Sequence, residues 1–323
     1  MAEKRIQNIY LHLTKQCNLS CTYCYFDAGA RGENELSLSQ MERLFEDIKK
    51  LCPRKIVITG GEALLREDFF DISHSLNAIR GATKLCLISN GTLINELIAK
   101  KIVNTFDEVR ISLDGPKEVN DRLRGQGAFD GAIKAIRYLW LAGISPEVSI
   151  TATSRNVDGL PEFLTFLKND MFVSSFHVSL FRPVGRGLVR PDLEVSWREV
   201  QSKLTEYWRK CFGDPSVNML TEGFTLADCG RCGIGQHINI LPDGSVFPCH
   251  VLSFPEFYLG NIKETSLIEI IDHSILLDKL RKLDFNQFYS MPEELDTILQ
   301  NAECMGEVFI EHPQMLHNFC NFR

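Results

Sequence analysis

The sequence lacks an export signal, a membrane-length apolar run and an excess of positive charge. Its first residues, MAEKRIQN, are polar, and no apolar stretch approaches the roughly 20 residues of a membrane span. We therefore predict a cytoplasmic protein with no membrane partner, whose thiols stay reduced. The formal net charge is −7, which argues against a nucleic-acid partner bound electrostatically.

A dinucleotide-binding motif, internal repeats and low-complexity linkers are also missing. No G-x-G-x-x-G follows the first apolar run, which argues against a dinucleotide fold. Short apolar runs instead alternate with amphipathic stretches such as 39–51 and 131–143. The runs predicted as strands are 9–14, 55–60, 84–89, 108–113, 147–153 and 175–181. This alternation predicts an α/β fold, a partial (β/α)6 TIM-like barrel with a parallel sheet.

The pattern changes after a helical stretch at 196–211. HINILPDGSVFPC (237–249) contains two strand-like runs joined at Pro-Asp-Gly, which predicts a β-hairpin. Helical spacing follows at 265–283. We therefore predict two domains: the barrel over 1–215 and a small Cys-rich hairpin and helix module over 216–323.

Eleven cysteines in a reducing compartment indicate metal or redox chemistry rather than a disulfide framework. Three of them share eight positions directly after the first predicted strand, at C-x3-C-x2-C spacing: Cys17, Cys21 and Cys24. The others near the carboxyl terminus form a second group and a tail pair: Cys229, Cys232, Cys249, Cys304 and Cys320. Three isolated cysteines fit ordinary buried packing: Cys52, Cys86 and Cys211.

The first group predicts an iron–sulfur cluster with an open position. Three thiolates on one tight loop can each hold one iron of a [4Fe–4S] cube, which leaves the fourth iron without a protein ligand. Among metal sites, the open position is the reactive one. A structural zinc knuckle is the alternative, but the only nearby candidate for its fourth ligand is His12, which lies in the predicted strand.

The motif resembles that of the radical S-adenosylmethionine (SAM) superfamily, with Tyr23 as the aromatic residue before the last thiolate. The resemblance implies that Cys17, Cys21 and Cys24 bind a [4Fe–4S] cluster whose open iron is chelated by the methionyl amine and carboxylate of SAM. It further implies reductive cleavage of SAM to a 5′-deoxyadenosyl radical that abstracts a substrate hydrogen. The electron would come from a reductant such as flavodoxin or ferredoxin.

Further family motifs follow at the ends of successive predicted strands. By resemblance, Gly60, Gly61 and Glu62 of the TGGE string meet the methionyl ammonium. Ser112 and Asp114 of SLDG are expected at the ribose hydroxyls. Two arginines are candidates for the methionyl carboxylate: Arg182 and, as an alternative, Arg124. Other cofactor-binding candidates at strand ends are Asn90, Thr151 and Thr153.

The string Cys232-x11-Gly244-x4-Cys249 resembles the start of the SPASM domain, which carries auxiliary [4Fe–4S] clusters. The later cysteine string of that domain is incomplete, because its expected positions are held by Met291, Glu294 and Gln300. We therefore expect one auxiliary cluster, as in the shortened Twitch variant. Its candidate ligands are Cys229, Cys232, Cys249 and either Cys304 or Cys320. Structural zinc remains the alternative, because C-x2-C beside a hairpin also builds zinc ribbons.

The resemblance implies a substrate that is modified by hydrogen abstraction, with the auxiliary cluster transferring an electron or binding the substrate. The main hypothesis is a ribosomally made peptide. An oxidoreductase or lyase acting on a small metabolite or a haem-type tetrapyrrole is the alternative, and a zinc-stabilised binding module without chemistry is a third. Only sixteen residues precede Cys17, so we expect a leader peptide to be bound either by the barrel or by a separate protein.

His250 is the candidate catalytic residue. It follows Cys249 directly, where sulfatase-type maturases carry an acidic base. This difference argues against sulfatase-type activity, although an imidazole can take a proton near neutral pH. A solvent-facing or hydrogen-bonded histidine on the hairpin is the structural alternative.

Overall fold

The computed structural model describes residues 6–212, 224–226 and 235–281. All six predicted parallel strands are present, each followed by helix. The strands are β1 (Asn8–His12), β2 (Lys55–Thr59), β3 (Lys84–Ser89), β4 (Glu108–Ser112), β5 (Glu147–Ala152), β6 (Phe176–Leu180), β7 (Phe224–Leu226), β8 (His237–Ile240), β9 (Ser245–Phe247) and β10 (Gly260–Asn261).

The helices cover one face of the sheet. They are α1 (Leu38–Leu51), α2 (Phe69–Ile79), α3 (Glu96–Val103), α4 (Lys117–Arg124), α5 (Ala128–Ala142), α6 (Leu160–Asp170), α7 (Trp197–Phe212), α8 (Leu267–His273) and α9 (Ile275–Arg281), with short 3-10 turns at Ala63–Leu65, Gly185–Val189, Pro191–Leu193 and Pro255–Phe257. Helix α1 begins at a capping box, in which Ser37 and Gln40 each bond the other's backbone N–H. None of the described helices is both long and apolar enough to span a bilayer.

The strands form one open sheet in the order β10-β9-β8-β1-β2-β3-β4-β5-β6-β7. Strand β1 lies between β2 and β8 and pairs in parallel with both. The predicted hairpin is therefore present as β8 and β9, and it continues the barrel sheet. The carboxyl end of β8 consequently lies beside the carboxyl end of β1.

Side chains alternate between the two faces of each strand. On β1, Ile9 and Leu11 belong to the large apolar core beneath the helices. The alternate positions face the concave side of the sheet and are more polar, with Tyr10 and His12 on β1. His12 Nε2 donates to Asn239 Oδ1 on β8 at 2.9 Å. The concave side thus presents polar groups below the loops that leave the strands.

The helical stretch predicted at 265–283 is present as the two helices α8 and α9, and positions 282 and 283 lie outside the described residues. The helices are separate because Ser274 leaves helical geometry (φ −77°, ψ 105°) and its Oγ accepts from Leu277 N at 3.0 Å. Serine favours such cap positions over helix interiors. One local prediction was wrong. Cys52 is exposed rather than buried, since it takes the left-handed C-cap position of α1. Cys86 is fully buried, as predicted.

Candidate active site

The three motif cysteines lie on the loop that leaves β1, and all three are half-buried and free. Backbone N–H groups donate to two of the sulfurs: Leu19 N to Cys17 Sγ (3.4 Å) and Ala28 N to Cys24 Sγ (3.5 Å). Cysteine sulfurs on one loop, once deprotonated and with backbone N–H donors around them, are the donor set of an iron–sulfur cluster. The residues present therefore fit such a group.

The thiols are close enough to influence one another's ionisation. Burial raises the pKa of Cys21 to about 11, the guanidinium of Arg124 acts in the opposite direction, and Cys24 and Cys17 raise the pKa further. Burial also raises the pKa of Cys17. The metal-free loop thus holds Cys17 and Cys21 as thiols at neutral pH, and metal binding must displace their protons.

The two glycines of TGGE lie against the chain that enters the cysteine loop. Gly61 N donates to Thr14 O, and Glu62 N donates to Gln16 O, both at 2.8 Å. A Cβ on Gly60, which has a φ of +144°, would stand 2.6 Å from Thr14 O, and one on Gly61 would collide with the Gln16 carbonyl. Close packing of main chain on main chain therefore requires glycine at both positions.

Glu62 joins the TGGE and SNG strings beside the cysteine loop. Its fully buried carboxylate accepts hydrogen bonds from Ser89 Oγ (3.0 Å) and Asn90 N (2.8 Å). Burial raises the pKa of Glu62, although these hydrogen bonds act in the opposite direction. The Asn90 side chain donates to Asn18 Oδ1 at 2.9 Å, and its Nδ2 lies 4.0 Å from Cys17 Sγ. The ends of β2 and β3 are thereby connected to the loop.

Asp114 and Arg124, both predicted to contact SAM, pair with each other. Arg124 Nε and Nη2 donate to the two oxygens of Asp114 at 2.7 and 2.9 Å. The Tyr23 hydroxyl and the Thr151 N–H donate to the same carboxylate. Asp114 is fully buried, and the Arg124 guanidinium lies 5.5 Å from the centre of the Tyr23 ring. The aromatic residue of the cysteine motif is thus anchored to β4 and α4.

The remaining predicted cofactor residues lie at the carboxyl ends of their strands. Ser112 ends β4 and is half-buried. Thr153 is fully buried, and its N–H and hydroxyl both donate to Asn156 Oδ1. Arg182 is half-buried and lies near His250, whose pKa it helps to lower.

The segment 182–187 contacts the cysteine loop directly, and sequence reasoning missed this role. Arg186 N donates to Cys24 O at 3.0 Å. Its guanidinium donates to Cys21 O (2.9 Å) and Ala28 O (2.6 Å). Gly185 has a φ of +59°, and a Cβ there would stand 2.5 Å from Cys24 O. The Gly-Arg-Gly string after strand six is visible in the sequence, but the string alone does not indicate a contact with the cysteine loop.

We expect Arg186→Ala to destabilise the metal-free protein by about 2 kcal/mol, because two part-buried loop carbonyls lose their charged donor. Urea unfolding measures the change. The matched control is Arg190→Ala, four residues further on, whose guanidinium bonds Asp192 on the surface. Equal midpoints for the two variants would show that Arg186 does not hold the loop.

On the C-terminal side, Cys249 is half-buried, with its Sγ 3.9 Å from His250 Nδ1. The His250 ring centroid lies 5.1 Å from that of Tyr10 and 6.0 Å from that of Tyr25. Burial, followed by the nearby His237 and Arg182, lowers the pKa of His250 to about 4. The imidazole is therefore neutral at neutral pH and packs among rings. The other predicted auxiliary ligands lie outside the described residues: Cys229, Cys232, Cys304 and Cys320.

Comparisons with known proteins give the family of this chain. The radical SAM superfamily model matches residues 11–163, and the model of an iron–sulfur cluster-binding domain, SPASM, matches 229–294. The chain is 31% identical over 283 residues to mycofactocin maturase MftC of Mycolicibacterium smegmatis, which covers 84% of this chain and 71% of that protein. It is 32% identical over 325 residues to the AdoMet-dependent heme synthase of Oleidesulfovibrio alaskensis (88% and 76%).

A solved structure shares the fold. Streptococcus suis SuiB bound to S-adenosylmethionine superposes with a TM-score of 0.73 at 16% identity, over 93% of this chain and 72% of that one. An open parallel sheet with a cysteine loop at its carboxyl edge defines a partial-barrel iron–sulfur enzyme. Within that class, the chain belongs to the radical SAM superfamily, and it is a SPASM-type radical SAM enzyme that uses SAM and [4Fe–4S] chemistry.

Proposed function

We propose that this enzyme modifies a ribosomally made peptide by hydrogen abstraction. The observation that carries the proposal is the similarity to a mycofactocin maturase, at 31% identity over 84% of the chain. The match extends well beyond the radical SAM motifs. A peptide that loses a hydrogen atom to the radical is therefore the substrate class that we favour.

We propose that Cys17, Cys21 and Cys24 hold the [4Fe–4S] cluster. When bound, this cluster together with SAM would supply 5′-deoxyadenosyl radical chemistry. The proposed contacts to SAM come from the strand ends around the loop: Gly60, Gly61, Glu62, Asn90, Ser112, Thr151, Thr153 and Arg182. Asp114 at the ribose, and Arg124 as the alternative to Arg182 at the methionyl carboxylate, remain proposed contacts to SAM. Their mutual pair also anchors Tyr23.

One auxiliary [4Fe–4S] cluster completes the proposal. Its ligands would be Cys229, Cys232, Cys249 and either Cys304 or Cys320, in the proposed C-terminal domain over 216–323. His250 would be the group that takes a proton from the substrate. An external reductant such as flavodoxin or ferredoxin, a separate leader-binding protein and a cytoplasmic location are further parts of the proposal.

The test uses the anaerobically reconstituted enzyme with SAM, dithionite and synthetic peptides encoded by small reading frames beside its gene. We expect the mass of one peptide to decrease by the mass of the hydrogen that is removed. Mass spectrometry should show this change only when both the enzyme and SAM are present. A parallel reaction contains an iron tetrapyrrole instead. Modification of the tetrapyrrole, with every peptide unchanged, would contradict the proposal.

A tetrapyrrole is the second candidate substrate, because the similarity to an AdoMet-dependent heme synthase covers 88% of the chain. The two relatives are close in identity, at 31% and 32%. Four mycofactocin maturases stand among the similar relatives, at 30–31% identity, and this similarity favours the peptide.

We expect Cys249→Ala to retain SAM cleavage and lose product, because an auxiliary ligand is not needed at the SAM iron. Chromatography of 5′-deoxyadenosine and mass spectrometry of the substrate measure the two reactions separately. Cys211→Ala is the matched control, since it removes another half-buried thiol outside the predicted ligand set. An unchanged product yield in Cys249→Ala would argue against an essential auxiliary cluster.

A further inference from the structure

A continuous chain of side-chain hydrogen bonds joins strand β1 to the loop that follows Cys249. It begins at His12, whose Nε2 lies 2.9 Å from Asn239 Oδ1 on the neighbouring strand β8. Asn239 Nδ2 lies 3.0 Å from Ser253 Oγ. Ser253 Oγ in turn lies 3.2 Å from the main-chain oxygen of His250. The chain therefore ends at the residue next to Cys249.

The direction of each bond in this chain follows from its last member. A main-chain carbonyl oxygen can only accept, so the Ser253 hydroxyl donates to His250 O. The Ser253 oxygen then accepts from the Asn239 amide N–H, and Asn239 Oδ1 accepts from the His12 ring. His12 is thereby fixed as the tautomer that carries its proton on Nε2. Burial lowers the pKa of His12 to about 3, so the ring is neutral at neutral pH.

The His12 ring also contacts the loop that follows Cys24. Its centroid lies 4.5 Å from that of Phe26 and 6.4 Å from that of Tyr25. His12 and Asn239 are both fully buried, so a broken bond between them leaves polar groups without water. One buried residue of β1 thus contacts both segments that carry predicted cluster ligands.

The side chains linked in this way line a cavity of about 450 Å³ between the two loops. Phe26 lines the cavity from the first loop, and His250 and Ser253 line it from the second. Movement of either loop would change the shape of the cavity. Fixing both loops to one strand therefore keeps the cavity and the two cysteine groups in one arrangement.

We propose that His12, Asn239 and Ser253 are positioning residues, which hold Cys249 and His250 against strand β1 through this chain of hydrogen bonds. The roles of Cys249 as a cluster ligand and of His250 as a base rest on the proposed function, whereas the positioning of their loop does not. The contribution of His12 comes from its N–H donor rather than from the packing of its ring.

The test measures how fast iodoacetamide alkylates Cys249 in the full-length, metal-free protein. Peptide mass spectrometry reports each thiol separately, and the exposed Cys52 is the internal reference. His12→Phe keeps an aromatic ring but loses the donor to Asn239. We expect it to raise the alkylation rate of Cys249 about fivefold, because the loop opens more often. His12→Gln keeps an N–H donor, and it should keep the slow rate.

Asn8→Ala is the matched control. It removes another bond between an asparagine and a histidine across β1 and β8, from Asn8 Nδ2 to His237 Nε2 at 3.1 Å. This bond lies at the amino ends of the two strands, away from the Cys249 loop, so its loss should not change the alkylation rate of Cys249.

The order of the variants decides the proposal. Equal rates in His12→Phe and the unchanged protein would overturn it, as would a rate in His12→Gln that equals or exceeds that in His12→Phe. If His12→Phe does not fold, Ser253→Ala and Ser253→Thr decide, because only threonine keeps the hydroxyl that donates to His250 O. We expect faster alkylation in Ser253→Ala alone, and equal rates in these two variants would overturn the proposal.

Failure of the positioning and failure of the proposed function give different results. Electron paramagnetic resonance of the reduced, reconstituted Cys24→Ala variant tests the auxiliary cluster separately. If Cys249 alkylation responds as expected but this variant holds no [4Fe–4S] cluster, the auxiliary cluster is wrong and the positioning residues stand. If the cluster is present but alkylation does not respond, the positioning is wrong and the cluster stands.

Discussion

Cys24→Ala will reduce 5′-deoxyadenosine formation to the level of the protein-free reaction. The substitution removes one of the three thiolates proposed to hold the SAM-binding cluster, and residues 13–37 between β1 and α1 contain no fourth cysteine. The thiol lies on the loop between β1 and α1, where Ala28 N donates to its sulfur. Reconstitution with iron and sulfide, followed by dithionite and SAM, gives the assay.

The control for Cys24→Ala is Cys52→Ala, which removes an exposed thiol at the end of α1. This control should cleave SAM at the rate of the unchanged enzyme. Residual cleavage by Cys24→Ala above the protein-free background would show that the cluster is held by other residues.

Asp114→Ala will destabilise the protein by about 3–5 kcal/mol, the range found when one partner of a buried ion pair is removed. It leaves the buried Arg124 guanidinium without its carboxylate and the Tyr23 hydroxyl without its acceptor. Denaturant unfolding of the metal-free protein measures the loss. Because Tyr23 precedes Cys24, we also expect lower iron content after reconstitution.

Two variants test whether the buried Asp114–Arg124 pair stabilises the protein more than an exposed ion pair does. Asp130→Ala removes the partner of Lys117 in an exposed pair, and it should leave the unfolding midpoint nearly unchanged. The double substitution Asp114→Ala with Arg124→Met should recover part of the loss, since it removes the unpaired charge. If Asp114→Ala and Asp130→Ala behave alike, the Asp114 pair does not anchor the motif.

Sequence patterns predicted the parallel strands because each strand has a short apolar run that ends in a glycine or polar string. They also located the cysteine loop, since the motif is local in the chain. The pairing of β8 with β1 was not predicted, because it joins residues more than 220 positions apart. Hairpin signals specify the turn and not the neighbouring strand.

Contacts between single side chains were not predicted, although the motifs that contain them were. The mutual bond of Asp114 and Arg124 is one example, because it depends on how α4 packs over the end of β4. The contact of Arg186 with Cys21 O spans 165 positions and involves main-chain carbonyls, which carry no sequence signal.

The account depends on one iron being open to SAM. Electron paramagnetic resonance of the reduced, reconstituted Cys249→Ala variant tests this most directly, because it isolates the proposed SAM-binding cluster. We predict a [4Fe–4S]+ spectrum that changes when SAM is added. A [4Fe–4S]+ spectrum that is identical with and without SAM would contradict the account.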